Sequence, residues 1–115
     1  MTIGLYMDHH VPLSIIMGLR IRQVDAVTAY EDGAHAFDAP SLLDRAAQLD
    51  RVLFSRNDDL VAEAVRRQGE GIPFSGVIYG HQLRVSIGAG VRDLELIAKA
   101  GDVKDLANTI QFLPL

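Results

Sequence analysis

Apolar runs and amphipathic stretches alternate from one end of the chain to the other. Residues 3–7 form a short apolar run without helical period, which predicts a buried strand. Pro12 then marks the first turn of a helix, with Leu13, Ile16 and Leu19 recurring every three residues on its inner side. Residues 24–28 are short and β-branched and read as a second strand. Residues 30–39 mix acids, glycine and His35, as a loop over one end of a sheet does. Pro40 opens a second helix, capped by Asp38 or Ser41, whose apolar stripe is Leu42, Leu43, Ala46 and Ala47.

The same grammar continues. Residues 51–55 predict a third strand, and Arg56 and Asn57 a turn. Asp58 and Asp59 begin a helix burying Leu60, Val61, Ala64 and Val65, with Glu63 and Arg67 paired at i,i+4 on its outer face. Residues 69–74 hold two glycines and Pro73 and read as a loop. The almost wholly apolar run 76–80 predicts a central strand. A long helix follows with Ile87, Val91, Leu94 and Ile97 on one stripe, although Gly88 and Gly90 each weaken its start by about 1 kcal/mol relative to alanine. Asp102 caps a short helix through Leu106, and residues 109–113 make a fifth strand.

Short apolar strands joined by helices mean a parallel sheet covered on both faces. The expectation is one α/β domain over residues 1–115: three layers, α/β/α, around a central, mostly parallel sheet of about five strands. Composition agrees, since 49% of residues are hydrophobic and 23% charged, a balance that builds a core. There is no cysteine, which excludes disulfides, thiolate metal sites and cysteine nucleophiles. No stretch approaches the roughly 20 apolar residues of a membrane-spanning helix. The N-terminus lacks a basic leader and meets Asp8 early, so a cytoplasmic protein without membrane association is expected. A net charge of −4 argues against a wholly basic nucleic-acid-binding surface.

Ligands of open parallel sheets bind beyond the carboxyl ends of the strands. That edge collects Asp8, His9 and His10 after the first strand, Ser55 to Asp59 after the third, and Gly80, His81 and Gln82 after the fourth. Asp38 enters from the loop before the second helix, while Asp44 lies further along that helix. Carboxylates gathered there repel one another unless a cation lies between them. Their hard oxygens suit Mg2+ or Mn2+, and such an ion activates water for attack on a phosphodiester. His9, His10 and His81 are donors of the kind transition metals take, although neighbouring histidines tend to point apart. Arg56 and Arg84 are candidate phosphate contacts or simply solvated side chains, and Tyr6, Tyr30 and Tyr79 are too scattered for a base-stacking platform.

Leu5-Tyr6-Met7-Asp8-His9-His10-Val11-Pro12 is a strand ending in aspartate followed by a proline-containing helix start. Arg51-Val52-Leu53-Phe54-Ser55-Arg56-Asn57-Asp58-Asp59-Leu60 follows the form RVL-aliphatic-T-x-D-x-D, and an acidic helix start, Asp38-Ala39-Pro40-Ser41-Leu42-Leu43-Asp44-Arg45-Ala46, lies between the two. With Gly76-Val77-Ile78-Tyr79 further on, nearly the whole chain resembles the PIN-like family of metal-dependent nucleases, which includes toxin halves of toxin–antitoxin pairs. The resemblance implies a ribonuclease using Mg2+ or Mn2+, with Asp8 as the first metal-binding acid and Asp59 as the second acid of the later motif. Asn57 stands where the first acid of that motif is expected. An amide oxygen ligates without charge and weakens Mg2+ binding, unless Asp58 turns inward to compensate. Asp38 or Asp44 stands for the acid of the middle helix. RNA, a cognate antitoxin and a second copy of the chain are the implied partners.

Two other functions compete with this one. The chain is alternatively a catalytically silent PIN-like binding or oligomerisation module, which Asn57 and the acidic balance favour. A phosphoacceptor receiver-type domain also has acids at the ends of strands one and three, but it needs aspartate at Asn57 and a lysine near the end of the last strand. Lys104 is poorly placed for that.

Overall fold

The computed structural model describes residues 2–115. Its elements run β1 (Leu5–Met7), α1 (Leu13–Ile21), β2 (Ala26–Thr28), α2 (Ala39–Gln48), β3 (Val52–Ser55), α3 (Asp58–Glu70), β4 (Val77–Tyr79), α4 (Ile87–Ala100), α5 (Val103–Leu106) and β5 (Ile110–Phe112). The five strands form one sheet in the order β2-β1-β3-β4-β5, and every pairing is parallel. The expected α/β architecture with a helical layer on each face is therefore present.

Each inner strand is buried on both faces, which explains why its sequence shows no polar alternation. Successive side chains still point opposite ways. Leu5, Met7, Val52, Phe54 and Ile78 join a core with Ile15 and Leu19 of α1 and Leu94 of α4. Tyr6, Leu53 and Val77 join a second core with Leu42 and Leu43 of α2 and Leu60 of α3. Among the described residues, no helix is long and apolar enough to cross a membrane.

Several helix faces differ from the sequence expectation. Leu13 is exposed, and Ile15 takes its place beside Ile16 and Leu19. Val65 and Ile87 are also exposed, and the buried side of α4 is Gly90, Val91, Leu94 and Ala98. Gly69 lies inside α3, which runs on to Gly71, where a left-handed φ of 72° closes the helix. Asp38, rather than Ser41, caps α2, its Oδ1 accepting from the Ser41 amide at 3.0 Å.

The Glu63–Arg67 pair is on the inner side of α3, not its outer face: Glu63 is 9% exposed and Arg67 4%. Arg67 Nε donates to Glu63 Oε2 at 2.8 Å, its second amino group to the Pro40 carbonyl at 3.0 Å, and Nη1 pairs with Asp44 at 2.9 Å. A long cation beneath α2 thus clamps α2 to α3, and an apolar-stripe count alone cannot show such an inward-facing ion pair.

Glu63 and Asp32 are the carboxylates of the described residues held most strongly in their charged form. Hydrogen bonds from Arg66 and then Arg67 pull Glu63 from an ordinary 4.5 to about 2. Arg45 and then the buried Tyr6 hydroxyl do the same for Asp32, from 3.8 to about 2. Both bind protons more weakly folded than unfolded. Their contribution is therefore complete above about pH 5 and is lost as pH falls through about 2. Urea midpoints measured down this range should be flat and then decline, and Glu63→Gln should flatten the decline. A midpoint that holds level into the lowest pH would refute the assignment.

Candidate metal centre

The sheet order reverses direction between β1 and β3, since the chain leaves β1 toward β2 on one side and returns to β3 on the other. Such a switch point leaves a crevice at the carboxyl ends of the two strands. Asp8 sits there. Its amide donates to the Phe54 carbonyl at 3.1 Å, extending the ladder one residue past β1 and fixing the backbone. Its side chain is only 2% exposed. A charge buried to this extent requires partners. Asp8 Oδ2 accepts from Ser55 Oγ at 2.8 Å, and Oδ1 lies 3.2 Å from His9 Nδ1.

Ser55 Oγ in turn accepts from the Asn57 amide at 2.9 Å. A relay from the β3–α3 turn through Ser55 therefore holds the Asp8 carboxylate in one orientation. Sequence reasoning placed Ser55 at the edge without giving it this work. The signal was available in that a polar residue ends the otherwise apolar β3, and the structure buries it completely.

Asn57 caps α3, its Oδ1 accepting from the Asp59 amide at 3.0 Å. This local bond accounts for an Asn, Asp, Ser or Thr at the position equally well. The Tyr79 hydroxyl donates a hydrogen bond to Asp58, which does not share the hollow that Asp8 lines and so does not replace the missing charge there. That bond to Asp58, followed by burial, raises the Tyr79 phenol above its ordinary value. Asp59 is exposed at the first turn of α3, where the helix dipole favours an acid.

Comparison with protein-family models, curated proteins and solved structures finds no significant match. The geometry therefore carries the functional case.

Asp8, His9, Asp38, Asn57 and Asp59 line one small cavity of about 160 Å³, walled by Phe37, Ala39, Leu42 and Leu60. Asp44 is not part of it: it pairs with Arg67 and borders a different hollow with Asp32 and Arg45. Of the two registers open for the middle helix, only Asp38 reaches the site. Its carboxyl is held below its ordinary value, chiefly by the bond from Ser41.

A second, wider cleft of about 540 Å³ adjoins it, lined by His10, Arg56, Asn57, Asp58, Asp59, His81 and Gln82. Asn57 and Asp59 belong to both hollows. Arg56 is the cation of this cleft, whereas Arg84 does not line it. His81 Nδ1 accepts from the Leu83 amide at 3.1 Å, and the ring stands apart from Asp8. His35 stacks on Tyr30, with ring centroids 4.5 Å apart. Tyr30 lines a third hollow at this edge with Asp8 and His9, while His35 lines neither the small cavity nor the wide cleft.

The acids test differently against Mg2+ or Mn2+. Mg2+ keeps several waters and takes one or two carboxylates. Asp8 and Asp59, across a cavity with room for an ion and its waters, meet that demand. Asp58 does not line this cavity and the single side-chain oxygen of Asn57 accepts from the Asp59 amide, so neither fits as a ligand there. Asp38, by contrast, has one oxygen bonded to the Ser41 amide and keeps the other.

Proposed function

We propose that this chain is a metal-dependent ribonuclease of the PIN-like type, hydrolysing phosphodiester bonds with water as the nucleophile. The observation that carries the reading is Asp8, a buried carboxylate aimed from the topological switch point into a cavity shared with Asp38, Asn57 and Asp59. A bound divalent ion would supply an activated water and neutralise charge developing on the phosphate. Asp8 and Asp59 would hold that ion, and Ser55 would keep Asp8 from rotating away. Arg56 would orient a phosphate in the adjoining cleft, a bidentate role suited to guanidinium. As the toxin half of a toxin–antitoxin pair, the chain would be silenced by a partner covering this cleft.

The test is cleavage of a mixed single-stranded and structured RNA pool with Mg2+ or Mn2+ and a chelator control. Products that depend on the ion and vanish with chelator are expected. A protein with no hydrolysis under either ion would turn the balance to a catalytically silent PIN-like module. One observation favours that second reading: Asn57, Asp38 and Asp58 all have structural partners that need no metal. Asn57→Asp separates the two, because gained metal-dependent cleavage would mark a weakened catalytic site.

A further inference from the structure

Building on the nuclease reading above for where the chemistry lies, we infer that Asp8, His9 and His10 form a mixed oxygen–nitrogen site for a divalent transition ion, with Zn2+ the fitting probe. Among the described residues, these three are the one group of three or more His, Asp or Glu side chains gathered closely enough for a single ion, one donor atom from each lying within 4.8 Å of the other two.

Consecutive side chains do not ordinarily converge, since along a strand they alternate between faces. Here the chain leaves β1 and turns at once. The Val11 amide donates to the Asp8 carbonyl at 3.0 Å, which makes His9 and His10 the central residues of a tight turn. The two rings consequently lie together, with centroids 3.9 Å apart and planes inclined by 39°. The expectation that neighbouring histidines diverge fails for this local reason.

Donor chemistry selects the ion. Mg2+ prefers oxygen and dehydrates reluctantly, whereas imidazole suits zinc, nickel, copper and iron. Ligands bonded about 2.0–2.1 Å from a tetrahedral zinc stand roughly 3.3 Å from each other. The 3.2 Å between Asp8 Oδ1 and His9 Nδ1 already matches that separation. His10 is exposed, so its ring is free to close the remaining distance. Three protein ligands would leave a position open, as in zinc sites that act on a water or a substrate. His9 borders the small acidic cavity and His10 the wide cleft with Arg56, so the open position would face the proposed phosphate path.

The outer contacts are of the kind a metal carboxylate has. Ser55 Oγ donates to the Asp8 oxygen that does not face His9, fixing the ligand from behind.

The test is titration calorimetry of the full chain with Zn2+ and, separately, Mg2+, with no RNA present. One Zn2+ per chain should bind far more tightly than Mg2+. His9→Ala and His10→Ala should each weaken Zn2+ binding by at least the roughly 10- to 100-fold that losing even an outer-shell partner costs, and the double variant should lose it. His35→Ala and His81→Ala should leave it intact, which guards against scattered binding to surface imidazoles. Both target histidines are exposed, so folding is not at stake, and circular dichroism confirms it. Zn2+ binding that is absent, or that survives the double variant, or that disappears in His81→Ala overturns the site. RNA cleavage with Mg2+ but no zinc binding would sink this inference and spare the nuclease reading; zinc binding without cleavage would do the reverse.

Discussion

Asp8→Asn is expected to lower metal-dependent RNA cleavage by about a thousandfold, equivalent to about 4 kcal/mol of barrier, while the protein stays folded. The large kinetic effect follows from Asp8 being the buried carboxylate at the switch point. A neutral amide in its place removes the charge that would hold a cation against the site. The small structural effect follows from the same contacts, because an asparagine Oδ1 still accepts from Ser55 Oγ in the position of Asp8 Oδ2. Cleavage rates under single-turnover conditions and a thermal melt, read together, separate the two. A variant that melts like the parent but still cleaves would remove Asp8 from the mechanism, and with it the observation on which the nuclease reading rests.

The architecture was legible for a simple reason. A parallel sheet buried on both faces writes its strands as uninterrupted apolar runs, and residues 3–7, 51–55 and 76–80 each contain one. Once the strands were placed, the rule about carboxyl edges brought Asp8, Asp38, Asn57 and Asp59 to one side, and they do line one cavity. What the sequence did not reveal depends on side-chain direction over distances longer than a helical turn. Asp58 and Asp59 are adjacent acids at one helix start, yet Tyr79 from the next strand draws Asp58 off while Asp59 faces the cavity. Asp44 and Asp38 were equivalent by spacing, and Arg67, reaching across from α3, separates them. Glu63 and Arg67 follow the pattern of a solvated helix pair and lie inward because α2 packs over them. The Asp8–His9–His10 grouping depends on a single turn hydrogen bond, which no periodicity reports.

Gly76→Ala should be the most damaging small substitution in the sheet. Gly76 immediately precedes β4 at φ +116°, a conformation L-residues rarely adopt. An added Cβ would also come within 2.4 Å of the Leu106 carbonyl oxygen and 3.0 Å of its carbon. Those are backbone atoms, so relief requires α5 to move, and the Leu106 side chain is part of the core. Backbone strain of about 1–3 kcal/mol plus the clash gives an expected loss of roughly 3–5 kcal/mol. At about 4 °C or more per kcal/mol for a domain near this size, the melting temperature should fall by at least about 12 °C. Gly69→Ala provides the contrast within the same molecule. It lies in α3 with nothing within 4 Å of the added methyl, so relief of glycine's helix penalty should raise stability by up to about 1 kcal/mol. Equal melts for the two variants would contradict the assignment of φ and the packing of α5 against β4. The effect should also reach the site, because β4 ends in Tyr79, which holds Asp58, and leads into Gly80 and His81 at the cleft. Any loss of activity in Gly76→Ala should therefore track the fraction unfolded, whereas the loss in Asp8→Asn should not.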